Sequence, residues 1–389
     1  TLHEPTSRND TGRKQKLLAK YWRAEAEVNI SHALNPRRDI KEQYEFRYAE
    51  YAESKIFMPN FVIDEHKHSF EYSRPSIHRW HELPELARHG TISVVKDGKY
   101  HIEDDCGYKS NYLLHQPLHS NETQQQKVVV LADVHAKHFQ HFMDSGLLKL
   151  VQASVYLEKN PDALVLAHFS NKGNSMMAQI LRIMGFEDTM FLPWESNSKL
   201  LHASELVLVC QAPPLHPALW QRAREMLGCG QRTRDREVVN VVYVTRNRQN
   251  SRNGRLVIND EDVRNYLLQR FQHDNVIIFD SHEKDLNEAM SIFSKADVIV
   301  GLHGGGLYNM LFAPFKAHVV EIMPLQSNGD FCDGSSQIFW VMSNLLEMNY
   351  WRINTPLIGN DARIDLDHLQ LVLNHIERDN VTNDRITDS

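Results

Sequence analysis

The sequence predicts an α/β protein of two doubly wound, Rossmann-like domains facing a cleft, behind an N-terminal helical extension. Two observations predict it. From Lys127 onward, short apolar runs of the kind that form buried parallel strands alternate with stretches of helical apolar spacing. The alternation breaks once, at the polar run GCGQRTRDRE (228–237), and then restarts. Repeated β-α-β units give a parallel sheet with helices on both faces, so two such sheets joined by a linker are the simplest account. A chain of 389 residues is long enough for both.

The elements follow in order. Residues 1–60 are polar and helix-prone (KQKLLAKYWRAEAEV, then KEQYEFRYAEYAESK) and are expected to form a stem without chemistry. Residues 61–230 make the first domain, opening irregularly, with ISVVKDGKYHIE expected as a hairpin around Asp97 and Gly98. KVVVLAD then reads as strand and HFMDSGLLKLVQASVYLEK as helix. ALVLAHF is strand, SMMAQILRIMGF a helix closed by Gly185, and TMFLP and SELVLVC are strands. PALWQRAREML is a helix opened by Pro217 and closed by Gly228. Residues 236–360 make the second domain: VVNVVYVT, NVIIF, DVIVG, HVVEIM and YWRIN as strands, with helices between them. Residues 361–389 form a closing helix and tail.

Composition narrows the chemistry. Apolar content of 42% and charged content of 24% are ordinary for a globular protein. A net charge of -7 gives no global attraction to nucleic acid or anionic lipid, so an anion site must be a local cluster. No apolar run approaches the roughly 20 residues that span a bilayer. The chain opens at Thr1 without an initiator Met, which leaves an upstream membrane anchor or signal open. Cys106, Cys210, Cys229 and Cys332 form no C-x-x-C pair, which argues against a zinc site and a dense disulfide scaffold; one or two bridges stay open. Sequons at Asn9, Asn29, Asn121 and Asn380 are close to what chance supplies.

Three segments carry chemistry. In DVIVGLHGGGLYNMLFAPFKAHVVEIMP, a buried strand ends at Gly301 and glycines follow at 304, 305 and 306 before a short helix. Glycine lets the backbone approach a ligand, and a helix start offers N–H groups and partial positive charge, which together suit a diphosphate. His303 adds a donor in the turn, and Glu321 on the next strand is expected to hold ribose hydroxyls. Tight helix packing alone, or an NAD(P) fingerprint of an oxidoreductase, would also explain the glycines; His303 at the second glycine's place counts against the latter. In VTRNRQNSRNGRLVIN, Arg246, Arg248, Arg252 and Arg255 stand within ten residues with no acid among them. Guanidiniums bind phosphate bidentately and stay charged, although a solvated basic loop has the same sequence. In KHFQHFMDSGLLKL, His141 and Asp144 share a helix face, and either serves as a base for a sugar hydroxyl unless Asp144 merely caps and His141 packs. Asp260, Glu261 and Asp262 follow Asn259 at a helix start, where capping and dipole compensation account for them without a metal.

With these residues in view, GLHGGGLYNMLFAPFKAHVVEIMP resembles the signature of glycosyltransferase family 61, G-x-H-G-A-x-L-x-N-x-x-F followed by a Val-Glu strand. The Arg246 loop with Asn259-Asp260-Glu261 is similar to the family's Arg-rich stretch, and HFMD to its His/Asp block. Gly305 replaces the usual Ala, and the Asn common before the His/Asp block is missing. The family includes plant xylan xylosyl- and arabinosyltransferases and animal O-linked N-acetylglucosaminyltransferases. The resemblance implies a GT-B fold and inverting transfer from a UDP-sugar, of a pentose or an N-acetylhexosamine, to a glycan or glycoprotein. It implies no obligatory metal or other cofactor and no nucleic-acid partner. The first domain would then be the acceptor side, with Asp144 or His141 as base. The second would bind the donor through Arg246, Arg252, Arg255, His303, Gly304 and Gly305, with Asn309 fixing the helix and Glu321 on the ribose. A catalytically silent relative would keep the second domain's segment and lack a working base. The compartment is left open, with the Golgi or ER lumen expected in a eukaryote.

Overall fold

The computed structural model describes residues 22–29, 44–51, 59–72, 89–101, 123–133, 136–169, 175–192, 200–211, 217–229, 239–246, 255–280, 285–325 and 338–387. Two compact units divide the chain: Thr1–Ser54 with Leu83–Ala223, and Lys55–Glu82 with Arg224–Ser389. Both are α/β with Rossmann-like sheets rich in parallel strands.

The first unit holds a seven-stranded sheet of β1 (Trp22–Asn29), β2 (Tyr44–Tyr51), β3 (His89–His101), β4 (Thr123–Val130), β5 (Leu164–Leu166), β6 (Phe191–Leu192) and β7 (Leu200–Gln211). Their order is β1-β2-β3-β7-β4-β5-β6. Pairing is parallel from β7 to β6 and antiparallel from β1 to β7. Residues 128–132 are buried throughout, as in a strand covered on both faces. Helices α1 (Leu147–Lys159) and α2 (Met176–Ile183) provide the crossovers. Ser175 caps α2 by accepting from the Ala178 N–H at 3.2 Å, and Gly185, at φ +85, ends it. The chain thus runs from β4 outward to β6 and returns as β7 on the other side of β4. That reversal is a topological switch point, where crevices open at strand carboxyl ends.

Two expectations fail in this unit. Residues 22–29 and 44–51 are not a helical extension but strands of the sheet, β1 pairing with β2 and β2 with β3. EFRYAEY alternates around aromatic residues, and a waiting sheet edge outweighs a weak helix propensity. The hairpin at Asp97 and Gly98 does not form either: β3 runs straight through, with Gly98 opposite Ala203. The twelve-residue β7 offers a partner along that whole length, so the turn signal is overridden.

The second unit holds β8 (Val241–Val244), β9 (Val276–Phe279), β10 (Val298–Leu302), β11 (His318–Leu325), β12 (Asn349–Ile358) and β13 (Asp361–Ala362), in the order β13-β12-β11-β10-β8-β9. All pairs are parallel except β12 with β13. Helices α3 (Pro217–Leu227), α4 (Asp260–Phe271), α5 (Leu286–Phe293), α6 (Ile338–Leu345) and α7 (Leu366–Thr387) alternate with them, α3 starting within the residues of the first unit. Val241, Tyr243, Val298, Val300, Val320 and Ile322 meet Val263, Leu267, Leu369 and Leu373 in one core, so the closing helix is part of this unit. The chain leaves β8 for β9 and then returns to the other side of β8 as β10, a second switch point. Residues 61–72, expected with the first domain, group here instead: Asn60, expected in the stem, bridges to Trp351, and the helix Asp64–Tyr72 follows. No helix among the described residues is long and apolar enough to cross a membrane.

Candidate functional site

The switch point of the second unit brings Arg246, just after β8, to the turn that follows β10. The Arg246 Nη1 donates to the His303 carbonyl at 2.9 Å. A Cβ on Gly304 would lie 2.5 Å from that Nη1, so the guanidinium lies directly on the glycine backbone. Only glycine leaves the arginine there. Gly304 opens a short 3₁₀ helix, Gly305–Phe312, whose first N–H groups have no partner within the helix and project from the same turn. Its far end is held by Arg224, only 2% exposed, which donates to the carbonyls of Leu311 and Ala313 at 2.9 and 2.8 Å. Asn309 is buried and donates its amide to the Gly306 carbonyl at 2.8 Å, fixing the helix.

Arg255 reaches Arg246 through the loop's return. The Val257 N–H bonds the Arg246 carbonyl, Leu256 donates to Asp361, and Ile258 to Ala362. Arg255 itself has φ +70, a left-handed conformation that costs a side chain about 1–2 kcal/mol. Burial first, and then the like charge of Arg255, lowers the pKa of the Arg246 guanidinium from its usual value. Two cations are thus held together beside open N–H donors, an arrangement that an anion relieves. Arg252 and Arg248 lie outside the described residues.

His303 and Glu321 lie beneath this turn. His303 Nδ1 lies 2.5 Å from Glu321 Oε1, and the Tyr350 hydroxyl donates to the other carboxylate oxygen. Register explains the meeting: Gly301 stands opposite Glu321 and Glu321 opposite Arg352 on neighbouring parallel strands. Glu321 is 0% exposed and His303 2%. Both oxygens of Glu321, the residue expected on the ribose, are engaged inside the sheet by His303 and Tyr350. Burial, and then the charge of Glu321, raises the pKa of the Tyr350 hydroxyl well above its usual value, so it stays a donor. Buried Arg352 donates to Asn354 at 2.9 Å and completes the row.

Asp260 proves structural. It is buried, accepts from the Tyr243 and Thr245 hydroxyls at 2.8 Å each, and pairs with Arg264 at 2.7 Å. This ties the end of β8 to α4 and steadies the residue before Arg246. Asn259 does not cap α4 with its side chain; its amide instead exchanges two bonds with the backbone of Ile364.

In the first unit, the residues after β4 lead through an α turn, Phe139–His141, and a π-helical turn, Phe142–Gly146, into α1. His141 Nδ1 and Asp144 Oδ2 stand 3.7 Å apart, with side chains 48% and 19% exposed. They share one face, as expected. Behind them lies a buried group that the sequence did not disclose: Asp133, Lys149 and His168, with Ser145 at its edge. Tyr350, Arg352 and Arg224 went unrecognised too. A charged residue inside each of the runs HVVEIM and YWRIN was the available signal, since neighbouring buried strands need such charges paired.

No curated protein matches the chain. The family described as Glycosyltransferase 61 matches residues 139–320, a span that starts at the turn holding His141 and Asp144 and includes the Arg246 loop and the Gly304 turn. That match favours glycosyl transfer over the nicotinamide reading. Residues 139–320, a little under half of the chain, are similar to this family, and the match indicates a family 61 glycosyltransferase.

Proposed function

We propose that this glycosyltransferase transfers a pentose or an N-acetylhexosamine from a UDP-sugar to a hydroxyl of a glycan or glycoprotein, with inversion, as a GT-B type enzyme. The packing of Arg246 on Gly304 carries the reading, because it joins an arginine that bonds the turn to a helix start that suits a diphosphate. The acceptor oxygen bonds to the anomeric carbon as the bond to the diphosphate oxygen breaks, and Asp144 or His141 takes the hydroxyl proton. Negative charge then grows on the departing diphosphate. Arg246, Arg255 and the N–H groups of residues 304–306 stabilise it, each well-placed donor contributing about 3–4 kcal/mol. Arg252 is assigned to the same task from its place in the loop. These cations do what a divalent metal does elsewhere, so no resident metal is required. His303, oriented by Glu321, shapes the turn.

A panel of UDP-xylose, UDP-arabinose and UDP-N-acetylglucosamine, offered with xylo-oligosaccharide or O-mannosylated peptide, tests this by UDP release. One donor should turn over, and UDP at about 100 times its Kd should add about 2.7 kcal/mol of stability. Stabilisation by UDP without turnover of any donor would mark a silent binding relative. Stabilisation by NAD(P) in place of UDP would overturn the donor assignment.

A further inference from the structure

We infer that Asp133, Ser145 and Lys149 form a clamp that sets the rotation of the π-helical turn and thereby aims His141 and Asp144; all three are positioning residues. The inference rests on the reading of His141 and Asp144 as the acceptor-side pair. Ser145 Oγ donates to Asp133 Oδ2 at 2.5 Å, and Lys149 Nζ stands 3.6 Å from the same oxygen. Ser145 and Lys149 are one helical turn apart, so one carboxylate oxygen, at the end of β4, holds one face of the helix start at two points. The Asp133 N–H in turn donates to His168 Nδ1 at 2.9 Å, which anchors the carboxylate's backbone to the end of β5. That bond also fixes the tautomer: an Nδ1 that accepts leaves the His168 proton on Nε2.

The π turn gives the clamp its purpose. A π turn carries one extra residue, and one residue is about 100° of rotation about a helix axis. Relaxing it to α would swing His141 and Asp144 around the helix relative to α1. Gly146 already forces a close approach, since a Cβ there would lie 2.7 Å from the Phe169 ring and 3.1 Å from the Ala136 Cβ. Ser145, between Asp144 and Gly146, is the hydroxyl that ties this turn to Asp133. A buried ion pair such as Asp133–Lys149 adds little net stability over apolar packing, so placement is its best-supported use.

Ser145→Ala is the test, with Ser145→Thr as the conservative variant and Asp144→Asn as the control for the underlying reading. UDP release from the best donor of the panel, UDP binding and amide exchange at residues 142–146 are measured for each. Ser145→Ala should lower kcat about tenfold to a hundredfold, the scale of an ångström-level misplacement. It should leave UDP affinity unchanged and speed exchange in the turn, while Ser145→Thr restores both. Wild-type kcat in Ser145→Ala alongside an inactive Asp144→Asn would overturn the clamp and leave the base assignment standing. Wild-type kcat in Asp144→Asn and in a matching His141→Ala would remove the acceptor-side reading, and the clamp with it.

Discussion

The two units carry their chemistry at the same topological place and build it in opposite ways. In each, the strand order reverses beside the unit's first parallel strand, β4 or β8, and the candidate residues follow that strand's carboxyl end. In the second unit they are locked: Arg246 lies on Gly304, and Glu321 is sealed between His303 and Tyr350. In the first, His141 is half exposed and reaches Asp144 only at 3.7 Å. The difference follows from the tasks proposed. Stabilising charge on a leaving group needs dipoles fixed before the reaction, because reorganising them then would cost what they contribute. A base for an incoming sugar must be reachable, so its rigidity has to come from behind.

The largest effect should break the locked side. Arg246→Ala is expected to lower kcat by about two or more orders of magnitude with the fold intact, measured as initial rates of UDP release. Gly304→Ala sharpens the point. Its new Cβ meets the flexible end of Arg246 and its φ of +157 strains an alanine, so the variant should lose some stability, displace the guanidinium and lose at least about tenfold in rate. Wild-type turnover in Arg246→Ala would remove this arginine from the mechanism; in Gly304→Ala alone, it would show that the contact is incidental.

Stability should separate the two regions next. Glu321→Ala strands His303 and the Tyr350 hydroxyl in the interior, and removing one partner of such a buried pair costs about 3–5 kcal/mol. Asp144→Ala removes a partly exposed carboxylate beside His141 and should cost less, about 1 kcal/mol, while activity falls. Urea unfolding of both variants checks the contrast. Equal midpoints would mean that the row of His303, Glu321 and Tyr350 is not the rigid layer described.

The same contrast decides what was legible in the sequence. The glycine turn was, because a strand, that turn and a helix start are contiguous and their geometry is local. The pairing of His141 with Asp144 was legible for the same reason. The supports were not. Glu321 meets Tyr350, Asp133 meets His168 and Arg224 meets the Leu311 carbonyl only because strand order and register bring distant segments together. Spacing rules do not reach that far. Residues 22–29 misled in the other direction: a local preference for helix yielded to a sheet that only the rest of the chain supplies.

The smallest effect probes the packing against β12 by pH. His66 Nδ1 accepts from the Asn354 N–H at 3.3 Å, and the ring meets His368 edge-on with centroids 5.0 Å apart. Burial first, and then the charge of His368, lowers the His66 pKa from 6.5 to about 4. Above pH 6.5 the ring is neutral in both folded and unfolded chains and contributes no pH dependence. As pH falls below 6.5 the unfolded chain takes up the proton first, so stability is lost down to about pH 4 and levels off beneath it. The ring is partly exposed and solvent screens it, so the slope should be shallow. His66→Gln lacks that proton, and its urea midpoint should fall less steeply than that of the wild type across the same window. Parallel curves would mean that His66 titrates alike folded and unfolded, and that its packing against Asn354 and His368 is looser than the contacts imply.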